Sequence, residues 1–340
     1  MPEAYVTQDI HSTGQAVDAA PILLFGMPRS GTTWAGKLFD SHRNTLYRHE
    51  PDTVHRLNDL LSLFPTSSDV SVRHQTAIRR YVDALPGLTE PKICSKLPVF
   101  PKAYLSHARF RGLQASITLN KLGERAGLQL PMVGAGRAGA RAGAAVVWKS
   151  IESLGRLGVL LDALPGARAV HLLRHPCGTI ASVRRGEAHG SFTSSTPTSE
   201  DWRFYEALLN TPEAQQHGLT LERLSACSPV ERMAWSWVIV NEKAMADCAG
   251  DSRYLLMRYE DLCDDPREQT QRMLQHCGLE LDNQVERFID RSISGTSGSY
   301  YSVFKNPTES AQKWRQEMPA EDVAAVMSVV GSTAPGQLFV

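Results

Sequence analysis

Short apolar runs recur along this chain and are separated by longer segments of helical periodicity. Continuous apolar runs of this length are typical of strands that are buried on both faces of a sheet. On this pattern we expect strands at about 21–26, 45–47, 144–149, 169–173 and 254–257.

The segments between these runs carry apolar residues at three- and four-residue spacings, which favours amphipathic helices. Helices that alternate with buried strands predict an α/β fold, a three-layer sandwich in which crossover helices join a central parallel sheet. Ligands of such sheets bind at the carboxyl ends of the strands. The predicted helices lie at about 32–42, 57–64, 72–85, 154–164, 177–185, 229–248 and 266–276.

The domain organisation is predicted to be simple. We expect a single domain over residues 21–335, preceded by a flexible N-terminal arm at 1–20 and carrying an insertion at about 100–145. Within the insertion, Gly134 begins a match to the G-x-G-x-x-G spacing of dinucleotide-binding sites. That fingerprint requires a strand before it and a helix after it, and the pattern predicts neither. We therefore interpret the segment as a loop or a surface insertion.

The most informative turn follows the first predicted strand. Gly26 and Gly31 bound a loop with the spacing G-x-x-x-x-G-T-T, and a helix is predicted from Thr32. Such a loop aims backbone N–H groups and the positive end of a helix dipole at one point, which makes a phosphate cradle. The spacing predicts a fold like that of P-loop-containing nucleotide hydrolases, but Thr32 stands where a triphosphatase has lysine. The positively charged residue of this loop is Arg29, inside the loop, and no lysine directly follows Gly31. This arrangement indicates that the loop binds a phosphate group without transferring the γ-phosphate of a nucleoside triphosphate.

Four segments resemble, in the same order, those of sulfotransferases that use PAPS (3′-phosphoadenosine 5′-phosphosulfate). The first, P-R-S-G-T-T-W from Pro28, resembles the family's 5′-phosphosulfate loop. The second, A-V-H-L-L-R-H-P from Ala169 followed by Ser182, resembles its 3′-phosphate site. The third, L-M-R-Y-E-D-L from Leu256, and the fourth, from Tyr300 to a W-R pair, resemble its R-Y-E-D-L segment and C-terminal loop. Together they extend over nearly the whole chain.

The resemblance implies how the donor is held. Backbone N–H groups, hydroxyls and one guanidinium of the first loop bind the 5′-phosphate, and an arginine and a serine of the second segment bind the 3′-phosphate. Two aromatic residues lie near the adenine, although packing of the tryptophan on the sheet and of the tyrosine in the core are alternatives. The implied donor-binding residues are Arg29, Ser30, Gly31, Thr32, Thr33, Trp34, Arg174, Ser182 and Tyr259.

The acceptor requires a general base, and the resemblance selects Glu50. Carbohydrate and protein-tyrosine sulfotransferases have a catalytic glutamate at this place, in a similar E-P or E-E context. Cytosolic sulfotransferases use a histidine in a K-x-H pattern, and the matching slot at 149–151 keeps the lysine but lacks the histidine. The chain therefore resembles the carbohydrate or tyrosylprotein type more closely. His42, His49 and His55 are further base candidates, and a helix cap or an ion pair is the alternative role for the glutamate.

Several lysines lie in segments that belong to the expected site. Lys149 ends a predicted strand. We assign it a catalytic role, in which it contacts the leaving phosphate or the transferred sulfuryl group. Lys96 is a less favoured candidate for the same role. The R-K-G triplet of the cytosolic enzymes does not precede Trp314. Lys305 or Lys313 is the candidate replacement for that contact to the 3′-phosphate.

Composition restricts the partners. The 340 residues include 36 Lys and Arg against 36 Asp and Glu, and this balance argues against a general binder of nucleic acid or anionic membrane. The six cysteines lack metal-ligand spacing, which predicts reduced thiols in an intracellular protein. The N-terminus is polar and no apolar run reaches the roughly 18 residues of a membrane span. Because Golgi sulfotransferases normally carry such an anchor, we expect a cytoplasmic enzyme.

The leading hypothesis is a PAPS-dependent sulfotransferase of the EC 2.8.2 type. It would transfer a sulfuryl group to a hydroxyl of a sugar, a phenol or a glycosylated lipid or metabolite and release PAP. No metal is expected, because N–H groups and cations already hold the leaving phosphate. The alternatives are a P-loop kinase-like phosphotransferase and a non-catalytic nucleotide-binding protein. The sequence leaves the acceptor and the oligomeric state open, a homodimer included.

Overall fold

A parallel sheet forms the centre of the computed structural model. The structure describes residues 20–57, 61–123, 132, 138–190, 196–294 and 307–340. Within these residues a five-stranded sheet has the order β2-β3-β1-β4-β5, with every neighbouring pair parallel. All five predicted strands are confirmed, and they are β1 Ile22–Phe25, β2 Thr45–His49, β3 Ala145–Ser150, β4 Arg168–Leu173 and β5 Tyr254–Arg258.

Helices connect the strands and continue after the last one. The predicted helices other than 57–64 are confirmed to within a few residues, and the one at 154–164 begins with a 3-10 turn at Leu154–Arg156. No helix in the described ranges is long and apolar enough to cross a membrane. The helices are α1 Thr32–Ser41, α2 Pro51–Val54, α3 Val72–Ala84, α4 Pro91–Cys94, α5 His107–Gly123, α6 Ala138–Arg141, α7 Leu157–Ala163, α8 Pro176–Ala188, α9 Trp202–Leu209, α10 Pro212–Gln216, α11 Leu221–Ala226, α12 Pro229–Asp247, α13 Tyr259–Asp264, α14 Pro266–His276, α15 Asn283–Ile293, α16 Pro307–Gln312, α17 Trp314–Glu317 and α18 Ala320–Val330.

Two hydrophobic cores lie on opposite faces of the sheet, so the fold is the predicted three-layer sandwich. Alternate residues of each strand enter alternate cores, as the two-residue period of a strand requires. On β1, Leu23 faces a core built with α3, α7, α8, α12 and α18. Its neighbour Leu24 faces a second core built with α1, α13, α14 and α15. Because helices cover both faces of the sheet, the side chains on both faces of each strand are buried, and the strands are therefore continuous apolar runs in the sequence.

The predicted helix at 57–64 is wrong for the part that the structure describes. Residues 61–64 form bends and irregular backbone, and residues 58–60 lie outside the described ranges. Leu57, Leu61 and Phe64 do pack on the core, so the apolar spacing reflects burial. The guanidinium of Arg156 donates to the carbonyls of Leu61 and Ser62, at 3.2 and 2.7 Å. A buried arginine therefore satisfies backbone acceptors that a helix would otherwise have satisfied internally.

The glycine-rich stretch of the proposed insertion is only partly described. Gly134 lies outside the described residues, while α6 occupies 138–141 where a loop was predicted. Gly139 is buried, and a Cβ there would lie 2.8 Å from the ring of Tyr104. The close approach to an aromatic ring gives this glycine a packing role.

The interior of the sheet contains a neutral histidine that links three elements. His171 on β4 is fully buried, and burial lowers its pKa to about 4. Its Nδ1 lies 2.8 Å from the Tyr254 hydroxyl on β5, and its Nε2 lies 2.9 Å from Oδ1 of Asn241 on α12. Since the amide oxygen can only accept, Nε2 carries the proton and Nδ1 accepts from the tyrosine.

We expect His171 to make the protein acid-sensitive. The unfolded chain binds a proton near pH 6.5 whereas the folded chain does so only near pH 4, so stability falls as the pH falls through this window. At about 1.4 kcal/mol per pH unit the contribution is about 3 kcal/mol. Urea unfolding at several pH values should show a shallower loss in His171→Gln than in the wild type. The exposed His189→Gln is the control, and equal slopes in all three proteins would contradict the assignment.

Candidate active site

The turn after β1 is shaped by close backbone packing. A Cβ on Gly26 would lie 2.5 Å from Ser30 Oγ and 2.6 Å from the carbonyl of Leu172 on β4, so a side chain cannot be accommodated there. Ser30 N–H donates to the carbonyl of Met27 at 3.1 Å, which closes the turn immediately before α1. The first N–H groups of a helix have no partner within that helix. The turn thus presents the anion-binding geometry expected from its spacing.

Two residues of this turn have left-handed backbone conformations. Arg29 has φ 71° and Gly31, the residue before α1, has φ 94°. Tyr259, the first residue of α13, covers the second of these, because an added Cβ would lie 2.3 Å from its ring. Tyr259 also meets Trp34 edge to face, with ring centroids 6.3 Å apart. Both aromatic residues that were predicted near the adenine therefore lie together beside the turn, and both belong to the core on the α1 face.

We expect Gly31→Ala to be strongly destabilising. The left-handed backbone and the overlap with Tyr259 together should lower the free energy of unfolding by more than about 3 kcal/mol. Gly250→Ala is the matched control, because Gly250 has φ 75° and its Cβ would meet no described atom within 4 Å. The control should lose only about 1 kcal/mol. Equal losses in urea unfolding would show that the contact with Tyr259 is unimportant.

The turn after β4 places Arg174 against the first turn. The guanidinium donates from Nη1 to the carbonyl of Arg29 at 3.0 Å and from Nη2 to the carbonyl of Ser310 at 2.7 Å. It also lies over the ring of Tyr259, 4.9 Å from the centroid. The indole N–H of Trp237 donates to the carbonyl of Arg174 at 3.0 Å. Arg174 is thus fixed by contacts from several elements and bridges the two turns.

Arg29, in the turn after β1, contacts in return the helix that follows Arg174. Its Nε donates to Ser182 Oγ at 3.0 Å, across 153 positions of sequence. Ser182 lies on α8, the helix that follows Arg174, and its side chain is buried. The arginine that was predicted at the 5′-phosphate therefore contacts the serine that was predicted at the 3′-phosphate. The two motifs are therefore in direct contact, as binding of one ligand by both would require.

Buried polar groups at this junction fit such a ligand. Within the described residues, Ser30 Oγ, Trp34 Nε1 and Arg174 Nε are buried without a hydrogen-bond partner. Buried polar groups in folded proteins are nearly always paired, and leaving one unpaired is costly. Donors left over at the meeting point of two anion-binding turns are consistent with an anionic ligand that accepts from them.

Glu50 and Lys149 form an ion pair beside these turns, in which Lys149 is buried and Glu50 is partly exposed. Lys149 on β3 pairs in register with Leu24 on β1 and with His49 on β2. Its ammonium group contacts Glu50 Oε1 directly, and the Glu50 N–H donates to the Lys149 carbonyl at 2.8 Å. Burial lowers the lysine pKa and the charge of Glu50 opposes that change. Lys149 was predicted to contact the sulfuryl group or leaving phosphate, and its observed partner is the carboxylate.

The position of Glu50 depends on a residue that the sequence did not single out. Glu50 has φ 48° and precedes α2. Asp52 on that helix is buried and accepts from Ser153 Oγ at 2.5 Å, from Trp148 Nε1 at 3.3 Å and from the Ser150 hydroxyl. This carboxylate ties the segment after Glu50 to β3 and the loop that follows it. Nothing in the local sequence distinguishes Asp52 from an ordinary first-turn acid of a helix.

A second cluster of buried charges holds the segment 96–102 in place against α1. Lys37 on α1 contacts Asp40 at 2.6 Å and donates to the carbonyls of Lys96 and of Pro98. Lys102 contacts the same aspartate at 3.2 Å. The segment 96–102 is therefore held against α1 by two lysines that share one carboxylate. The cluster was not predicted, since Lys102 joins it from a position that is distant in sequence from Lys37 and Asp40.

The three histidine candidates have different surroundings. His42 Nε2 lies 3.0 Å from the carbonyl of Glu280, and His55 Nε2 lies 2.7 Å from Glu90 Oε1. His49 Nε2 lies 3.7 Å from Glu50 Oε1. Of the three, His49 is the one that the structure brings to the glutamate.

The C-terminal segment covers the second turn. Trp314 stacks on His175 with ring centroids 4.4 Å apart and planes inclined by 19°. Lys313, the candidate for a 3′-phosphate contact, pairs with Glu317 at 3.1 Å, and its role stays a prediction. Tyr300 and Lys305 lie outside the described residues.

Comparisons of the sequence with known proteins agree with one another. A sequence profile described as the sulfotransferase family matches residues 21–283. The chain is 25% identical to carbohydrate sulfotransferase 3 of Mus musculus over 349 residues, covering 92% of this chain and 66% of the mouse protein. It is 23% identical to carbohydrate sulfotransferase 1 of Rattus norvegicus over 330 residues, covering 89% of this chain and 75% of the rat protein. The chain thus spans about two thirds to three quarters of the length of these relatives.

A solved structure was also compared with this fold. The sulfotransferase domain from the curacin biosynthetic pathway aligns with a TM-score of 0.43 and 14% identity, covering 91% of this chain and 96% of that domain.

Proposed function

Since the chain belongs to the sulfotransferase family and is therefore a transferase, we propose that it moves the sulfuryl group of PAPS to a hydroxyl of a carbohydrate and releases PAP. PAPS supplies the activated sulfuryl group as a co-substrate. A carbohydrate acceptor is supported by the similarity to carbohydrate sulfotransferases. The observation that carries the proposal is the contact between the two turns through Arg29 and Arg174.

The donor-binding part of the proposal assigns one end of the nucleotide to each turn. N–H groups of Gly31, Thr32 and Thr33 at the start of α1, with the Ser30 hydroxyl, would hold the 5′-phosphate. Arg174 and Ser182 would hold the 3′-phosphate, with Arg29 positioned between the two ends. The partnerless donors at Ser30 and Arg174 support this assignment. Trp34 and Tyr259, which lie beside the first turn, would contact the adenine.

The catalytic part of the proposal assigns the general base to Glu50. Its carboxylate would accept the proton of the acceptor hydroxyl. The ion pair with Lys149 keeps the carboxylate at β3, the strand that pairs with β1 and therefore lies next to the first turn. Once Glu50 takes up the proton, Lys149 is left as a buried cation whose charge can stabilise the negative charge that develops on the leaving phosphate.

We expect Glu50→Gln to abolish most of the turnover. The amide has nearly the same shape but cannot accept the proton, and loss of a general base lowers kcat by about 100-fold or more. The measurement is transfer of labelled sulfate from PAPS to a panel of carbohydrates and phenols, with products identified by mass. Glu206→Gln, an exposed position on α9, is the control. Undiminished kcat in Glu50→Gln would remove Glu50 from the base role, and transfer only to phenols would remove the carbohydrate acceptor.

We expect Arg174→Ala to weaken the binding of PAP. Loss of a charge-assisted hydrogen bond corresponds to about 1.5–3 kcal/mol, or roughly a 10- to 150-fold increase in Kd. Calorimetric titration with PAP measures the change, and titration with ATP tests the phosphotransferase alternative. Arg184→Ala is the control, because this arginine of α8 forms an exposed pair with Asp322 at 2.5 Å. Equal PAP affinity in wild type and Arg174→Ala would exclude the 3′-phosphate role.

Location and metal requirement belong to the same proposal. All six cysteines are free thiols in the structure, which is typical of reducing compartments and supports a cytoplasmic location. Metal-independent transfer is proposed because cations and N–H groups of the chain itself surround the site.

A further inference from the structure

His49 lies between the proposed base and a tyrosine hydroxyl. It is the last residue of β2 and pairs across the sheet with Lys149, so both side chains lie on the α1 face. Its Nδ1 is 2.9 Å from the Tyr47 hydroxyl, and its Nε2 is 3.7 Å from Glu50 Oε1. The side chain is buried, and no role has been assigned to it in the proposed reaction.

Tyr47 and Glu50 face the two ring nitrogens of His49 and together favour one tautomer. Tyr47 is buried, and burial raises the pKa of its phenol well above the usual value, so the hydroxyl keeps its proton. The position of this hydroxyl is restricted, because a Cβ on Gly36 would lie only 2.5 Å from it. A phenol hydroxyl can donate or accept, whereas the carboxylate of Glu50, 3.7 Å from Nε2, can only accept. We therefore place the proton of the neutral ring on Nε2, so that the Tyr47 hydroxyl donates to Nδ1. The Nε2–H bond therefore faces Glu50.

The charges around His49 favour its neutral form. Burial lowers the pKa of the imidazole well below its usual value, and the ammonium groups of Lys149, Lys96 and Lys37 lower it further. These lysines belong to β3, to the segment after α4 and to α1, respectively. Glu50 is the carboxylate that faces the ring.

Both neighbours of the glutamate approach the same oxygen. Lys149 contacts Oε1 directly, and His49 Nε2 is nearest to that same atom. The ammonium group of Lys149 makes the direct contact, and Nε2 of His49, 3.7 Å away, attracts the same oxygen electrostatically. Both interactions favour the rotamer that keeps Oε1 between the two side chains. Oε2 is then the oxygen left to accept a proton.

We propose that His49 is a positioning residue: a neutral imidazole that directs Nε2–H to Oε1 of Glu50 and so presents Oε2 to the acceptor hydroxyl. The inference rests on the proposed role of Glu50 as the base. It differs from the role of a histidine base, because His49 takes up no proton during the reaction.

The first test compares two substitutions of His49. His49→Leu removes the donor, and loss of such a supporting contact lowers kcat by about 10- to 100-fold, with the KM for PAPS changed less than about twofold. His49→Gln places an amide N–H near the position of Nε2 and should restore most of the turnover. His217→Gln is the matched control, since His217 forms a pair with Glu242 at 2.7 Å on other elements. Wild-type kcat in His49→Leu, or equal losses in the Leu and Gln variants, would overturn the positioning role.

The second test needs no turnover and remains informative if His49→Leu fails to fold. Nitrogen NMR of the wild-type protein labelled in histidine should show His49 neutral and protonated on Nε2 at pH 6–7. Tyr47→Phe, which deletes the partner of Nδ1, should weaken this tautomer preference. A charged ring, or a proton on Nδ1, would overturn the proposal. If Glu50→Gln keeps its activity, the proposed base fails, whereas an inactive Glu50→Gln with a fully active His49→Leu removes only the role of His49.

Discussion

The in-register parallel pairing of β2, β3, β1 and β4 is the constraint on which the site depends. Because parallel strands end at the same edge, the turns after β1 and β4 and the residue after β2 converge without long connecting loops. Lys149 pairs with Leu24 on one side and with His49 on the other. A slip of one residue between β2 and β3 would turn His49 to the opposite face and separate it from Lys149. The register thus places the proposed base against β3, the direct neighbour of the strand that enters the phosphate-binding turn.

Much of this arrangement could be predicted because it is local in sequence. Strand positions, the G-x-x-x-x-G turn and the family assignment depend on runs of a few residues, and they are confirmed. The helix predicted at 57–64 is wrong over the described residues 61–64. Apolar spacing records which residues are buried, and it cannot show that Arg156 binds the backbone there. The link from Arg29 to Ser182 spans 153 positions, and no local pattern contains such a contact. The residue roles in donor binding and catalysis stay predictions.

Buried lysines around the site are better explained by geometry than by stability. Lys37, Lys102 and Lys149 are almost wholly buried, and each contacts a carboxylate. Taking both members of an ion pair out of water costs about as much as their attraction returns, so such pairs contribute little net stability. They do restrict the segments that carry them. Two of the lysines hold residues 96–102 against α1, and the third holds Glu50 over β3.

The position of the loop cation distinguishes this turn from that of a nucleotide triphosphatase. A lysine that follows the second glycine extends from the helix start towards β- and γ-phosphates. Here Thr32 is buried at that place, and Arg29 lies three residues earlier with a left-handed backbone. That backbone conformation directs the guanidinium across to Ser182 and leaves the Arg29 carbonyl to Arg174. A cation placed between two turns suits a ligand with phosphates at separate ends, which favours a doubly phosphorylated adenosine over a linear triphosphate.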